Sequence, residues 1–307
     1  MAYPQKESER DWESQFKVWA QPPSQSELER CERSVNAIKK AVANSSDLLH
    51  RSIRTFAQGS YANRTNVRQD SDVDVCVLCR AVFFYELPAG LSAADIGIQP
   101  ATYLYPEYKD QLERALVDHF GRENVRRGNK AFDIHENTYR VDADAVACFL
   151  YRLYFFNQEG RLRYYEGTGL RTDDEGKLVT NFPEQQYENG VVKNDATDRR
   201  FKALVRVIKN LRNEMGDAGI VAAEPIASFL IESLVWNWPN KLFDQSSWVS
   251  MVKAFLAFIW DATKTEERCQ HWTEINGIKS LFGSDNEWNY HQVHVFAEVA
   301  YTYIDSQ

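Results

Sequence analysis

A short run of residues near position 70 constrains the fold more than any other part of the sequence. Carboxylates and valines alternate in Asp72-Val73-Asp74-Val75-Cys76-Val77. Alternation with a period of two predicts a β-strand with one apolar face and one face that bears carboxylates. Since two like charges on one strand face are costly without a cation, the run predicts a sheet built around a metal site.

Eleven residues separate a turn at Gly59-Ser60 from Asp72. Glycine lets backbone N–H groups approach an anion closely, and the serine hydroxyl adds a hydrogen-bond donor. Carboxylates at positions i and i+2 suit Mg²⁺, and a third carboxylate on a neighbouring strand would hold a second ion about 3.5–4 Å away. Asp142 and Asp144, on a strand predicted near residues 138–149, are the candidates for that third ligand. The combination predicts phosphoryl or nucleotidyl transfer.

The rest of the chain predicts a sheet-bearing part followed by a helical part. Ser24 and Glu27 form a capping-box pattern at the start of a predicted helix that ends near residue 48. Further predictions are a polar arm over 1–23, a strand over 52–57, a helix over 107–120, loops with short strands over 157–198, and helices from 199 onward, one of which starts at Pro225. We therefore predict an α+β fold with two domains, 1–198 and 199–307.

The segment GSYANRTNVRQDSDVDV resembles the signature of the DNA polymerase β-like nucleotidyltransferase superfamily. Three further segments, YRVDADAVACFLYR, FKALVRVIKNLRNEM and EPIASFLIESLVWNWP, resemble the cGAS/DncV-like nucleotidyltransferases (CD-NTases). Members of this family make cyclic or linear oligonucleotide signals in bacterial anti-phage (CBASS) defence. The resemblance implies a two-lobed fold with a mixed-sheet catalytic lobe, a C-terminal helical bundle and an active site in the cleft between them.

The resemblance also implies a role for individual residues. Asp72 and Asp74 would bind two Mg²⁺ ions, with Mn²⁺ as the alternative metal, and Asp144 would be the third catalytic ligand, with Asp142 as the alternate. Ser60, with its neighbours Gln58 and Gly59, would contact the triphosphate. Lys209 and Ser228, beside Phe229, would hold the β- and γ-phosphates from the second lobe.

Asn181 is the candidate base-reading residue. In the family that the chain resembles, an Asn at this position accompanies uracil-containing products, which predicts that UTP is a substrate. A carboxamide offers a donor and an acceptor in one plane, which matches the edge of uracil. The same amide also pairs with the N6/N7 edge of adenine, and an Asn before Phe-Pro also satisfies loop backbone groups.

Composition limits the partners. The formal net charge of −8 argues against a nucleic-acid activator, so no activation by DNA is expected. The polar start, the lack of a long apolar run and the odd number of cysteines, five, predict a cytoplasmic protein without a membrane segment. The expected partners are the substrates ATP, UTP or GTP and a downstream effector that the cyclic product activates.

Two other functions remain open at this point. One is transfer of a nucleotide to a tRNA, a protein or a small molecule, with the same chemistry but a different acceptor. The other is a catalytically inactive nucleotide-binding module, which the intact Gly-Ser turn and carboxylates disfavour.

Overall fold

The computed structural model describes residues 10–67, 73–135, 142–283 and 286–306. Its helices are α1 (Trp12–Trp19), α2 (Gln25–Asn44), α3 (Gly59–Asn63), α4 (Tyr105–Phe120), α5 (Pro183–Ala196), α6 (Arg200–Asp217), α7 (Ser228–Asn237), α8 (Trp248–Ala262), α9 (Glu266–Cys269) and α10 (Tyr290–Ser306). Its strands are β1 (Ile53–Ala57), β2 (Val73–Glu86), β3 (Val125–Arg127), β4 (Phe132–Ile134), β5 (Ala143–Phe156), β6 (Leu162–Arg171) and β7 (Leu178–Asn181).

The chain forms two compact units. The sheet unit is Pro23–Glu184, and the helical unit consists of Met1–Pro22 together with Gln185–Gln307. These bounds assign the N-terminal helix α1 and most of α5 to the helical unit, whereas the predicted domains were 1–198 and 199–307. The combination of a mixed sheet with a helical bundle, predicted from the sequence, is confirmed.

The sheet unit is built around two long strands. The strands of the described residues form one sheet in the order β1-β2-β5-β4-β3, with β6 and β7 continuing from the far end of β5. β2 and β5 run parallel, and the other strand pairs are antiparallel. Apolar side chains of both central strands pack with those of α2 and α4 in one core, which fixes the sheet position. The sheet is therefore buried along its centre, and Asp74 and Asp144 lie near the starts of its two central strands.

Most of the predicted elements in the sheet unit are confirmed. Ser24 and Glu27 form both hydrogen bonds of a capping box at the start of α2, which ends at Asn44 rather than near 48. The helix α4 ends where Gly121 adopts a positive φ of 86°. The Gly59-Ser60 segment, predicted as a loop, instead begins the short helix α3.

Two predictions for irregular structure were wrong. Residues 157–198 form β6, β7 and α5 rather than loops with short strands. The predicted polar arm over 1–23 contains α1, whose Trp12 and Phe16 are buried in the core of the helical unit. Aromatic side chains at positions i and i+4 lie on one helix face. The packing of these two rings into the core therefore holds this short helix in place, although most of the segment is polar.

The helical unit surrounds α6. Leu204, Ile208 and Leu211 on α6 are buried in one core with residues of α7, α8 and α10. The next helix starts at Ser228 and not at Pro225 as predicted, because Ala227 adopts the extended conformation of an N-cap. No helix of the described ranges is long and apolar enough to cross a membrane.

Candidate functional site

Strand register brings carboxylates together in the sheet unit. Asp74 on β2 and Asp144 on β5 are direct register partners in the parallel pair. The neighbouring residues Val73, Val75 and Ala143 point to the opposite face and are buried. Both carboxylate residues are partly buried, so they lie at the border between the packed sheet and solvent. The predicted pairing of the β2 carboxylate with one from a neighbouring strand therefore agrees with the register.

The same row contains a carboxylate that the sequence analysis missed. Asp133 on β4 is the register partner of Asp144 in an antiparallel pair, so Asp74, Asp144 and Asp133 occupy adjacent positions across three strands. Phe132 and Ile134 on either side of Asp133 are buried. This apolar–polar–apolar triplet is the only local signal, and it is too short to predict a strand from the sequence.

Gly59 lies directly against Asp74. A Cβ atom on Gly59 would come within 2.1 Å of Asp74 Oδ2, and the residue has a φ of +66°. The N–H of Gln58 also donates to the backbone oxygen of Asp74 over 2.8 Å. Both the space and the backbone conformation therefore require glycine at position 59. The Gly-Ser motif and the carboxylate strand are thus one structural feature.

Ser60 is partly buried at the first turn of α3. Its backbone oxygen accepts a hydrogen bond from the N–H of Thr65 over 2.9 Å, which folds the following segment back onto the turn. The position of the predicted triphosphate contact beside the carboxylate row is therefore set by backbone hydrogen bonds.

The other two predicted metal ligands are Asp72 and Asp142. Asp72 lies outside the described residues. Asp142 precedes β5, and its backbone oxygen accepts a hydrogen bond from the N–H of Val73 over 2.9 Å. The strand β5 begins at Ala143, the next residue, so Asp142 lies beside its start.

The donor chemistry of this row fits a hard divalent cation. Carboxylate oxygens are the ligands that Mg²⁺ prefers. Within the residues that the structure describes, no three His, Cys, Asp or Glu side chains are grouped closely enough to hold a metal ion. A metal site with three protein carboxylates would therefore have to include a residue outside the described ranges, such as Asp72.

Lys209 occupies a buried ion pair in the helical unit. Its Nζ donates to Glu232 Oε1 on α7 over 2.5 Å, and the two side chains are 2% and 4% exposed. Lys202, Arg206, Lys209 and Asn213 are spaced four, three and four residues apart, which predicts a polar helix face, but Arg206 and Lys209 are both buried. Glu232 was missed because a single glutamate within an apolar helix gives no periodic signal.

Ser228, by contrast, is exposed at the first residue of α7. Arg212 Nη2 donates to Ser228 Oγ over 2.9 Å, and Arg212 Nη1 donates to the backbone oxygen of Ile226. Phe229, the other predicted residue here, is partly buried with its ring 6.2 Å from that of Trp288. The structure thus adds Arg212 to the predicted residues at this end of α7.

Asn181 ends the short strand β7 in the sheet unit. It is exposed, and its register partner is Thr168 on β6. Gly167 allows the close approach, since a Cβ atom there would lie 2.3 Å from the Asn181 backbone oxygen. The next residue, Phe182, is buried, and its ring packs 5.9 Å from that of Tyr151. The side chain of Asn181 is therefore carried on an anchored strand and not on a free loop.

Sequence comparisons extend over nearly the whole chain. Residues 188–305 match the sequence profile of the cGAS/DncV-like nucleotidyltransferase C-terminal helical domain. A cyclic dipyrimidine nucleotide synthase of Legionella pneumophila is 41% identical, covering 96% of this chain and 98% of the relative. A second cyclic dipyrimidine nucleotide synthase, from Cecembia lonarensis, is 38% identical over 95% of this chain and 98% of its own length.

The fold is also similar to that of a solved enzyme. The c-UMP-AMP synthase of Rhodothermus marinus, solved with Apcpp and Upnpp, superposes with a TM-score of 0.82 at 29% identity. The match covers 96% of this chain and 95% of that structure. The similarity therefore includes the carboxylate-bearing sheet and the helical bundle together.

Proposed function

Because the chain belongs to the cGAS/DncV-like nucleotidyltransferase family, we propose that it converts nucleoside triphosphates into a cyclic dinucleotide and releases pyrophosphate. The observation that carries this proposal is the register pairing of Asp74 with Asp144 beside Gly59. In each step a ribose hydroxyl loses its proton and forms a bond to an α-phosphorus, while the bond from that phosphorus to pyrophosphate breaks. A second such step closes the ring.

We further propose that Asp72, Asp74 and Asp144 bind two Mg²⁺ ions. The fit rests on the oxygen donors of the carboxylate row, in which Asp74 and Asp144 are direct register partners. When bound, the ions would neutralise charge on the phosphates and on the attacking and leaving oxygens. Asp74 and Asp144 would themselves orient the site, because each is fixed to a strand of the packed sheet.

Residues from both units would bind the triphosphate. Ser60 would donate from the turn that Gly59 holds against Asp74. Ser228 and Lys209 would donate to phosphate oxygens from the helical unit, where charge-assisted bonds from a lysine are the stronger ones. These contacts bind the nucleotide and do not exchange protons with it, so their removal should change affinity more than the chemical step.

Pyrimidine nucleotides are the proposed preference. Two relatives of this chain are named as cyclic dipyrimidine nucleotide synthases. The exposed carboxamide of Asn181 provides both a donor and an acceptor, which suits the N3–H and carbonyl edge of uracil. We therefore propose that UTP is a substrate and that Asn181 selects it.

The proposed role is signalling in anti-phage defence. The cyclic product would bind and activate a separate effector protein, which is the part of the system that acts on the cell. The net charge of −8 supports an enzyme that nucleic acid does not activate.

The decisive experiment is product analysis from a reaction with all four nucleoside triphosphates. Mass spectrometry after phosphatase treatment should show a resistant cyclic dinucleotide that contains uridine, and Asp74→Asn should give none. Pyrophosphate release without a resistant product would indicate transfer to another acceptor. Absence of turnover with every triphosphate and either Mg²⁺ or Mn²⁺ would indicate an inactive module.

Base selection has its own test. Each labelled nucleoside triphosphate is supplied singly and in pairs to the wild type and to Asn181→Ser. We expect the variant to lose uridine incorporation selectively, since a hydroxyl makes only part of the hydrogen-bond pattern. An unchanged base preference in the variant would contradict the role of Asn181.

A further inference from the structure

The buried ion pair in the helical unit has no need of a ligand for its own neutrality. Lys209 and Glu232 lie 2.5 Å apart, with side chains that are 2% and 4% exposed. Such a pair adds little net stability, because removing both charges from water costs about as much as their attraction returns. A pair of this kind, at a residue proposed to bind triphosphate, therefore raises the question of what Glu232 does for Lys209.

The pair is the inner one of two polar contacts that join α6 to α7. The outer contact, from Arg212 to Ser228 over 2.9 Å, lies at the exposed start of α7. Glu232 follows Ser228 by one turn of α7, and Lys209 precedes Arg212 by one turn of α6. A polyanion that reaches Ser228 thus lies one helical turn from an ammonium that a carboxylate already holds.

We infer that Glu232 is a positioning residue. Its carboxylate and the phosphates of the substrate compete for the ammonium of Lys209. Without nucleotide, the carboxylate of Glu232 holds the ammonium inside the helical unit. A bound triphosphate replaces the carboxylate as the main acceptor, and Glu232 takes the ammonium back when pyrophosphate leaves. The inference rests on the proposed function, because only there does Lys209 bind the triphosphate.

Competition for one ammonium has a defined consequence. Lysine has three N–H donors and no acceptor, and charged acceptors form its strongest bonds. A carboxylate that competes with phosphate weakens the binding of the triphosphate and of the released pyrophosphate by the same factor. The enzyme must release pyrophosphate twice for each cyclic product, and weaker binding of pyrophosphate makes that release faster. Tighter binding of substrate and transition state to the same extent would not accelerate the chemical step.

The test is Glu232→Gln, which keeps the shape of the side chain and removes its charge. We expect the KM for UTP and the inhibition constant of pyrophosphate to fall together by about three- to tenfold, with no rise in kcat. Glu232→Asp, which keeps the charge but shortens the side chain, should lower both constants by about twofold. A rise in either constant, or no change in both, would overturn the inference.

A matched control separates this local effect from a general change of charge. Glu224→Gln removes one acidic charge from an exposed position on the same unit and should leave both constants unchanged. In a Lys209→Met background, Glu232→Gln should also have no effect on affinity. The same fall in the Glu224 variant, or in the Lys209→Met background, would show that Glu232 does not act through Lys209.

Binding measurements keep the inference independent of turnover. Calorimetric titration with the α,β-methylene analogue of ATP, on protein with a cooperative thermal transition, should show the tighter binding directly. If Glu232→Gln does not fold, Glu232→Asp carries the test, and unchanged affinity in that variant refutes the inference. A wild type that binds the analogue but forms no cyclic product would refute the proposed function alone.

Discussion

The sheet unit and the helical unit hold charged side chains in opposite ways. In the sheet unit, the carboxylates of Asp74 and Asp144 are adjacent in register, so like charges lie side by side. In the helical unit, the ammonium of Lys209 is already neutralised by Glu232 and buried with it. Adjacent carboxylates can share a cation, whereas a buried ion pair is neutral without a ligand. Substitutions of the sheet-unit carboxylates should therefore mainly lower activity, whereas breaking the ion pair of the helical unit should mainly lower stability.

The largest effect is expected at the carboxylates. Asp74→Asn and Asp144→Asn should each lower cyclic-product formation by roughly a thousand-fold or more, because each removes a proposed metal ligand. Neither should lower the thermal transition by much, because both residues are only partly buried at the border of the packed sheet. Steady-state assays and thermal melting of the same preparations measure both quantities.

Asp142→Asn is the control for the carboxylate prediction. Asn at this position keeps the backbone oxygen that accepts from the N–H of Val73, so the variant should retain activity. Loss of turnover in Asp142→Asn with survival in Asp144→Asn would show that the third ligand is Asp142.

A smaller effect is expected at Gly59, where the fold and the site meet. In Gly59→Ala the new Cβ atom would lie 2.1 Å from Asp74 Oδ2 at a φ of +66°. Displacement of the carboxylate should lower turnover by roughly 100-fold, and the backbone strain should cost about 1–3 kcal/mol of folding free energy.

Gly160→Ala is the matched control for that prediction. Gly160 also has a positive φ, of 71°, but a Cβ atom there would meet no heavy atom within 4 Å. It should lose stability to a similar degree and keep full turnover. Equal losses of turnover in the two variants would remove the structural link between Gly59 and Asp74.

Substitutions in the ion pair of the helical unit should lower the free energy of unfolding rather than the rate of the chemical step. Lys209→Ala leaves Glu232 buried without its ammonium, which should cost about 3–5 kcal/mol of unfolding free energy. Replacing both partners, as Lys209→Met with Glu232→Leu, should restore most of that loss. Denaturant unfolding measures both. A single variant as stable as the wild type would mean that the pair is not buried in solution.

The mildest prediction concerns Lys193, another buried lysine of the helical unit. Burial lowers the pKa of Lys193 from 10.5 to about 8. Its Nζ donates to the backbone oxygen of Trp238 over 2.7 Å and to Asn240 Oδ1 over 2.8 Å. Between the two pKa values the unfolded chain holds the extra proton, so the free energy of unfolding should rise with pH across that window. It should not change with pH through this group below about pH 8.

Thermal melting at several pH values checks that sign. The stability of the wild type relative to Lys193→Met should increase as the pH is raised from about 8 towards 10. A constant difference across that range would contradict the lowered pKa of Lys193.

The two units also differ in how well the sequence predicted them. The carboxylate strand was predictable because alternation along a strand is a local pattern, visible in six residues. The strand β6 was missed because Gly167 and its polar neighbours are typical of turns. In the structure Gly167 serves close packing against β7, which depends on residues far along the chain.

The environment of Lys209 could not be predicted either. A helical stripe shows which residues share a face but not which residue of another helix lies opposite. The pairing with Glu232, 23 positions away, depends on how α6 packs against α7. The roles of single residues thus followed from the family resemblance, while their partners required the structure.

The most direct test of the division between the units is a comparison of kcat and affinity in matched variants. Asp144→Asn should bind the α,β-methylene analogue of ATP with nearly wild-type affinity in the absence of divalent metal, and should form almost no cyclic product at any UTP concentration. Lys209→Met and Ser228→Ala should weaken that binding, by about 1.5–3 and 0.5–1.5 kcal/mol, and regain near wild-type kcat when UTP is saturating. A kcat for Lys209→Met as low as that of Asp144→Asn, from folded protein at saturating UTP, would contradict the assignment of chemistry to the carboxylates of the sheet unit and of triphosphate binding alone to Lys209 and Ser228.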